Sequence, residues 1–431
     1  MKFAVIGGGS SYTPELIDGI FAKKGVLPFS EIWLMDTNED RLSTNYEFSK
    51  RLAERYGVKC GIFKSVSIDE TIKDAKYVLT QIRVGQMQAR INDEKLGLKY
   101  NIIGQETTGV GGFACALRTI PVILEIAKKM EVLCPDAFLI NFTNPVGIVT
   151  EAVIKYSKVK TIGLCNVPIG MIMQVIRFFG GEPEEIELDY IGLNHLSWVR
   201  RIKKNGEDIT EKALERFWEY AEEEWDDEPT RNNMLEAMKS LKMFCNYYLQ
   251  YYYSTPTVLE KLKAKSKTRG EEVLEIEKVL FEKYRDPLLK EKPPELSKRG
   301  GAHYSTAALM LMEAIEKNKK SKQIVCCRNN GAIPTFDDDV SVEVPAIIDS
   351  DGAHTIPQQP PEPAIRGLMQ LIKSYETLTA HSAVKGDKEL AFQALLIHPL
   401  TPDASGCRKL LNELLEINKP YLLNTFYKKT N

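Results

Sequence analysis

An α/β fold is predicted: a doubly wound parallel sheet with helices on both faces, followed by an α-rich second domain. Three observations predict it. The apolar run Phe3–Ile6 passes straight into Gly7-Gly8-Gly9. Short apolar strand patterns then alternate with helical patterns, the mark of βαβ units. After about residue 195 the texture changes to long, charged, amphipathic stretches.

The elements follow in order. Phe3–Ile6 reads as a buried strand, and Pro14–Lys23 as the helix after it. Glu31-Ile-Trp-Leu-Met-Asp36 is a second strand, and Arg41–Tyr56 a helix with one polar face. Lys76–Ile82 and Ala137–Asn141 are further buried strands. Between them Gly85–Gly112, polar and Gly-rich, is expected to be a long functional loop, with a helix over Phe113–Met130. Lys160–Leu164 is another strand, and Val167–Phe179 is helical after it. Leu196–Lys203 suits an antiparallel strand, Ile209–Lys283 is helical and charged, and Ser341–Ile348 reads as strand. Pro-rich breaks at Lys292-Pro-Pro-Glu295 and Gln358-Gln-Pro-Pro-Glu-Pro363 divide the later helices. The expected domains are 1–195 and 196–431.

At 431 residues the chain exceeds what one core holds. Its 57 Lys and Arg against 59 Asp and Glu give a formal charge of −2, which offers no electrostatic case for nucleic acid or an anionic membrane. The cluster Lys261–Lys267 is read as a solvated helix face. No apolar run is read as approaching the ~20 residues of a membrane span. Met1–Ile6 is expected to be a first strand rather than a signal peptide. Eight scattered cysteines without a Cys-x-x-Cys pair fit buried thiols in a reducing cytoplasm.

Cys165, in Ile162-Gly-Leu-Cys-Asn-Val-Pro168, and His195, in Tyr190-Ile-Gly-Leu-Asn-His195, each end an apolar run. A lone Cys or His is more often structural. Paired at strand ends, a thiolate and an imidazole read as two ligands of a divalent metal with positions open to substrate. Gly7-Gly-Gly-Ser-Ser-Tyr12 between strand and helix suits a dinucleotide pyrophosphate, although Tyr12 replaces the third glycine of the motif. Gly7, Gly9, Ser10 and Ser11 are the expected contacts. Asp36 closes the second strand where an acid accepts from ribose hydroxyls, favouring NAD over NADP. Arg90 is either an anchor for an anionic substrate or a surface ion pair. Asn144, in Asn141-Phe-Thr-Asn-Pro145, is either crevice-facing or part of a capped turn. In Asn246-Tyr-Tyr-Leu-Gln-Tyr-Tyr-Tyr253 most phenols should be packing residues.

Taken together, Gly7-Gly-Gly-Ser-Ser-Tyr-Thr-Pro14, Gly104-Gln-Glu-Thr-Thr-Gly109, Asn141-Phe-Thr-Asn-Pro145, Gly163-Leu-Cys-Asn-Val-Pro168 and Gly192-Leu-Asn-His195 resemble glycoside hydrolase family 4. The likeness runs on through Lys298-Arg-Gly-Gly301, Arg328-Asn-Asn-Gly331 and His398-Pro399. It implies a Rossmann-like domain of the lactate and malate dehydrogenase kind with an α+β domain after it, and a homodimer or homotetramer. Asn166 stands where family members acting on α-glycosides carry Asp, so the resemblance points to the 6-phospho-β-glucosidases. It implies NAD and Mn²⁺ as cofactors, with Cys165 and His195 as metal ligands. Arg90, Asn144, Asn166 and Arg269 would bind a phosphorylated disaccharide or β-glucoside, Arg90 meeting the phosphate. The tyrosine run places the proton acceptor at Tyr248, with Tyr247 the neighbouring alternative.

The chemistry implied is oxidation at C3 by NAD⁺, Mn²⁺-assisted loss of the C2 proton to Tyr248, elimination of the aglycone, addition of water and return of the hydride. Positive charge near Tyr248 is expected to favour its ionisation. A net NAD-dependent dehydrogenase, another family 4 glycosidase (a 6-phospho-α-glucosidase or α-galactosidase) and a non-catalytic NAD sensor stay open beside it. The dehydrogenase gives no reason for the Cys165 and His195 pair.

Overall fold

The computed structural model describes residues 1–23, 25–300 and 303–427. Six strands pair in parallel: β1 (Lys2–Ile6), β2 (Glu31–Met35), β3 (Gly61–Ser65), β4 (Tyr77–Thr80), β5 (Phe138–Asn141) and β6 (Lys160–Gly163), ordered β3-β2-β1-β4-β5-β6. The order reverses beside β1, and in such sheets ligands bind outside the carboxyl ends of the strands at that reversal. Both faces are covered, which is why these strands are almost wholly apolar. Phe3, Val5, Leu79 and Ile140 pack with Ile17, Phe48 and Met312 on one face. Ala4, Ile6, Val78 and Leu139 pack with Leu117, Ile120 and Val149 on the other.

A second sheet follows. β7 (Ile186–Leu193) and β8 (Leu196–Lys204) form a hairpin, with β9 (Glu207–Asp208) and the short β10 (Phe244–Cys245) both paired to β8. The chain then returns to the first sheet. β11 (Ser321–Arg328), β12 (Ser341–Asp349) and β13 (Gly352–Thr355) add antiparallel at the β6 edge, making nine strands. β12 also packs against β7, joining the two sheets.

Two expectations are corrected. Gly85–Gly112 is not one long loop, because Gln86–Lys99 is a helix and the next helix begins at Gly109. The first of these helices buries Arg90, Asp93 and Glu94 alongside Met87, Ile91 and Leu96. Its inward face therefore carries charges, and the apolar period that signals a helix is lost. At the second, Cβ atoms on Gly111 and Gly112 would lie 2.3 Å from the Gln105 carbonyl oxygen and 2.5 Å from that of Thr107. The glycines let the loop 104–108 close against the helix start. The helix Gly109–Leu133 is also long and apolar enough to span a bilayer, contrary to the sequence reading. It is a core helix, with 83% of its most apolar window inside the molecule.

Candidate active site

Two chain reversals bring the expected metal ligands together. Cys165 follows β6 and caps the helix Asn166–Phe179, its sulfur accepting from Val167 N–H at 3.5 Å. Asn194 and His195 form the two-residue turn of the β7–β8 hairpin, where Leu193 pairs with Leu196. His195 sits at φ +64°, a left-handed conformation uncommon outside glycine. The result is Cys165 Sγ 3.4 Å from His195 Nε2, both side chains buried.

The other imidazole nitrogen is fixed as well. Thr107 Oγ1 lies 2.8 Å from His195 Nδ1 and donates to Gln105 Oε1 at 2.8 Å. Since the Thr107 proton is committed to Gln105, Nδ1 carries the hydrogen and Nε2 presents its lone pair toward sulfur. Burial lowers the His195 pKa to about 3, so the ring is neutral, as a ligand requires. Burial and then Glu343 push the Cys165 thiol up to about 12, while N–H donors from Val167 and Asn194 pull the other way.

The 3.4 Å gap lets the two ligands share one divalent ion. Among the described residues no third His, Cys, Asp or Glu joins them. The donor set therefore fits a metal whose remaining positions are open to substrate oxygen and water.

Tyr248 covers the imidazole. Its ring stacks on His195 with centroids 3.7 Å apart and planes within 5°. Tyr247 turns instead toward Trp225, stacked at 6.3 Å. Tyr248 gets its place from β10, which pairs with β8, and from Asn246, whose Oδ1 accepts from Tyr248 N–H at 3.0 Å. The expectation of nearby positive charge is not met. Burial, then Cys165, Tyr251, Tyr304 and Glu106, hold the Tyr248 phenol well above its ordinary value, and no protein cation stands among these leading causes.

At the glycine turn, Asp36 accepts from Gly9 N–H and Asn38 N–H, both at 2.9 Å. A Cβ on Gly9 would stand 2.7 Å from the Asp36 carboxyl carbon, so only glycine lets the two approach. Ser10 Oγ accepts from Tyr12 N–H at 3.2 Å. The Ser11 hydroxyl points inward, donating to Glu277 at 2.7 Å and accepting from Arg299 at 3.0 Å. What Ser11 can offer a ligand is its backbone N–H, which has no partner among the described residues.

The other expected residues separate. Arg90 is buried, not on the surface, and is held by Glu94 at 2.8 Å and Glu106 at 2.6 Å, with Arg83 also on Glu106. Its other terminal nitrogen makes no hydrogen bond among the described residues. Asn166 opens the helix after Cys165, its Oδ1 3.9 Å from the sulfur. The half-buried Asn144 precedes a cis proline and leaves its side-chain amide unpaired among the described residues. Arg269 stands apart, exposed and paired with Glu272 and the Lys298 carbonyl, both at 3.1 Å. Gly301, which closes the Lys298-Arg-Gly-Gly301 motif, lies outside the described residues.

A model described as family 4 glycosyl hydrolase matches residues 2–180, and one for the C-terminal domain of that family matches residues 190–401. The chain belongs to glycosyl hydrolase family 4. Within the family it is 42% identical to a probable 6-phospho-β-glucosidase of Bacillus subtilis (strain 168), over 99% of this chain and 98% of that one. The solved 6-phospho-β-glucosidase from Thermotoga maritima with manganese, NAD⁺ and glucose 6-phosphate superposes with a TM-score of 0.90. It is 39% identical, over 98% of this chain and 99% of the other. Lactate dehydrogenase from Eimeria maxima, 16% identical, shares the fold with a TM-score of 0.54, over 89% of this chain and 93% of its own. The Rossmann-like fold expected from the sequence is the fold found.

Sequence reading missed several partners in this family 4 site. Gln105, Glu106 and Thr107 lie inside a quoted motif, yet residue types alone do not say which side chain meets His195 or Arg90. Glu277, buried among Arg41, Arg299 and Ser11, sits in a charged helix with nothing to mark it. Glu343 did leave a signal, as the single acid in the apolar run Ser341-Val-Glu-Val-Pro345.

Proposed function

We infer that the chain is a glycosidase that hydrolyses 6-phospho-β-glucosides, such as cellobiose 6-phosphate, to glucose 6-phosphate and an aglycone. The observation that carries this reading is the stack of Tyr248 on a buried imidazole whose free nitrogen faces Cys165. It joins a metal-competent pair to a proton acceptor, an arrangement with no use in a simple NAD sensor.

When bound, NAD⁺ supplies a hydride acceptor and Mn²⁺ a Lewis acid. The turn Gly7–Ser11 and Asp36 would hold the first, and Cys165 and His195 the second. Thr107 keeps the imidazole in the tautomer that can ligate. Burial holds the Tyr248 phenol high in the metal-free protein, and its ionisation would be favoured by the charge of a bound divalent ion. The phenolate would take the proton from C2 of the sugar as the aglycone leaves from C1 and the C1–C2 double bond forms. Arg90, with one terminal nitrogen unpaired among the described residues, meets the sugar phosphate, while Asn144 and Asn166 face sugar hydroxyls. Asn166 in place of an acid agrees with β-glycoside cleavage, where a general acid beside the metal is not called on. Arg269 reaches substrate only if its exposed side chain leaves Glu272. All eight cysteines are free. Free thiols support a cytoplasmic setting, and a homodimer or homotetramer is the assembly we assign.

The test is incubation with NAD⁺, Mn²⁺ and a chromogenic 6-phospho-β-glucoside. Aglycone release without NADH accumulation is expected. Net NADH would identify a dehydrogenase, and neither product a non-catalytic binder.

A further inference from the structure

Glu343 lies in β12, from the C-terminal part of the chain, and its side chain is fully enclosed at 1% exposure. A carboxylate there must be held by donors, and two sets converge on it. Oε1 accepts from Asn194 Nδ2 at 2.9 Å, and Asn194 shares the two-residue hairpin turn with His195. Oε2 accepts from the Tyr190 hydroxyl.

The second set continues further. Tyr190 Oη lies 2.6 Å from Ser197 Oγ, and Ser197 Oγ accepts from Asn246 Nδ2 at 2.9 Å. Asn246 Oδ1 in turn caps Tyr248 N–H. The Tyr190 proton is committed to Glu343, so the Ser197 proton is committed to Tyr190. Asn246 must then face Ser197 with its NH₂ and Tyr248 with its oxygen. Burial raises the Glu343 pKa to about 7 against the hydrogen bonds from Tyr190 and Asn194. Once ionised, the carboxylate only accepts and sets the sense of the Tyr190 and Ser197 bonds, while Tyr248 N–H sets the Asn246 amide from the other end.

We propose that Glu343 is the positioning residue of the site, one carboxylate that holds Asn194 in the turn carrying His195 and sets the Tyr248 turn through Tyr190, Ser197 and Asn246. This role rests on the functional reading above. Glu343 touches neither substrate nor metal, and acts through the two arms. A neutral amide in its place must present either an N–H to Tyr190 or an N–H to Asn194, so one arm reverses. Cutting a hydroxyl midway breaks only the arm that ends at Tyr248.

The test uses the full chain and two readouts: steady-state cleavage with NAD⁺ and Mn²⁺, and titration with Co²⁺, whose thiolate charge-transfer band reports Cys165 directly. Glu343→Gln should weaken Co²⁺ binding by about 10- to 100-fold, shift the band, and lower kcat by a similar factor, the usual scale for residues behind a metal ligand. KM should stay within about threefold, since no substrate contact is lost. Ser197→Ala should lower kcat about tenfold, the scale of one lost buried hydrogen bond, while Co²⁺ affinity and band stay as in wild type. In the double variant the kcat losses should fall short of their product, because both cut one chain.

Wild-type kcat and Co²⁺ affinity in Glu343→Gln would overturn the proposal. So would wild-type kcat in Ser197→Ala, which decides the matter if Glu343→Gln does not fold. Failure of the wild-type chain to cleave the substrate would instead refute the functional reading, and the Co²⁺ arm would still report on Glu343.

Discussion

Cys165 shows how a residue's ordinary chemistry is reset by its surroundings. Its thiol is pushed up to about 12, chiefly by burial, so in the metal-free protein it keeps its proton. A divalent ion must displace that proton to bind the thiolate. Metal affinity should therefore rise with pH, by about tenfold per unit across pH 6 to 8, in titrations with Mn²⁺ or Co²⁺. A flat profile would mean that Cys165 does not ligate. Cys165→Ser replaces the soft ligand by a hard neutral hydroxyl and should abolish cleavage, while NAD⁺ affinity stays within a few-fold because the glycine turn is untouched. Tyr248→Phe removes one oxygen from a ring whose packing on His195 is otherwise kept. It should cost about 10²–10⁴ in kcat, the range of a positioned general base, with the melting temperature little changed. Full activity in Tyr248→Phe would assign the proton transfer elsewhere.

The helix Gln86–Lys99 and the loop after it show why some elements are hard to read. Arg90, Asp93 and Glu94 fall in a stretch read as a loop, but they are buried in a helix, in ion pairs with one another, Glu106 and Arg118. The parallel strands were legible because burial on both faces leaves an unbroken apolar run. β3 was not, being a half-exposed edge strand, and β11 begins with Ser-Lys-Gln before its apolar half. The candidate site was legible where a motif places the residue, as at Cys165 and His195, and illegible where the partner comes from a distant charged helix, as with Glu277. The Glu106 cluster yields a stability prediction. Arg83 and Arg90 hold the Glu106 carboxyl far below the usual carboxylate range against its burial. The folded state thus binds fewer protons than the unfolded chain, so the pair stabilises above the unfolded pKa of about 4.3 and its contribution is lost as pH falls below that. Glu106→Gln leaves the buried Arg90 and half-buried Arg83 guanidiniums short of a counter-charge and should cost about 3–5 kcal/mol at pH 7. Melting curves should show the gap to wild type closing at low pH, and a gap that widens would contradict the assignment. Arg90→Ala should lower kcat/KM for the phosphorylated glycoside by about two orders of magnitude, the scale of a lost charge-assisted contact. Equal cleavage of the unphosphorylated glycoside by wild type would count against a phosphate role.

For the whole molecule, the nine-stranded sheet and the hairpin sheet meet at β12 and β7, and the Cys165, His195 and Tyr248 cluster forms where they join. One sheet supplies the dinucleotide turn and Cys165; the other supplies His195 and the segment that carries Tyr248. Under the proposed function, Tyr248 as proton acceptor, Cys165 and His195 as metal ligands and the glycine turn as cofactor site serve cleavage that begins at C2 rather than direct displacement at C1. The C2 proton decides between them. Cleavage of a 6-phospho-β-glucoside in D₂O, followed by NMR of the recovered glucose 6-phosphate, should show deuterium at C2, because a proton taken by Tyr248 exchanges with solvent before the product forms. Product carrying only hydrogen at C2 would contradict abstraction at that carbon.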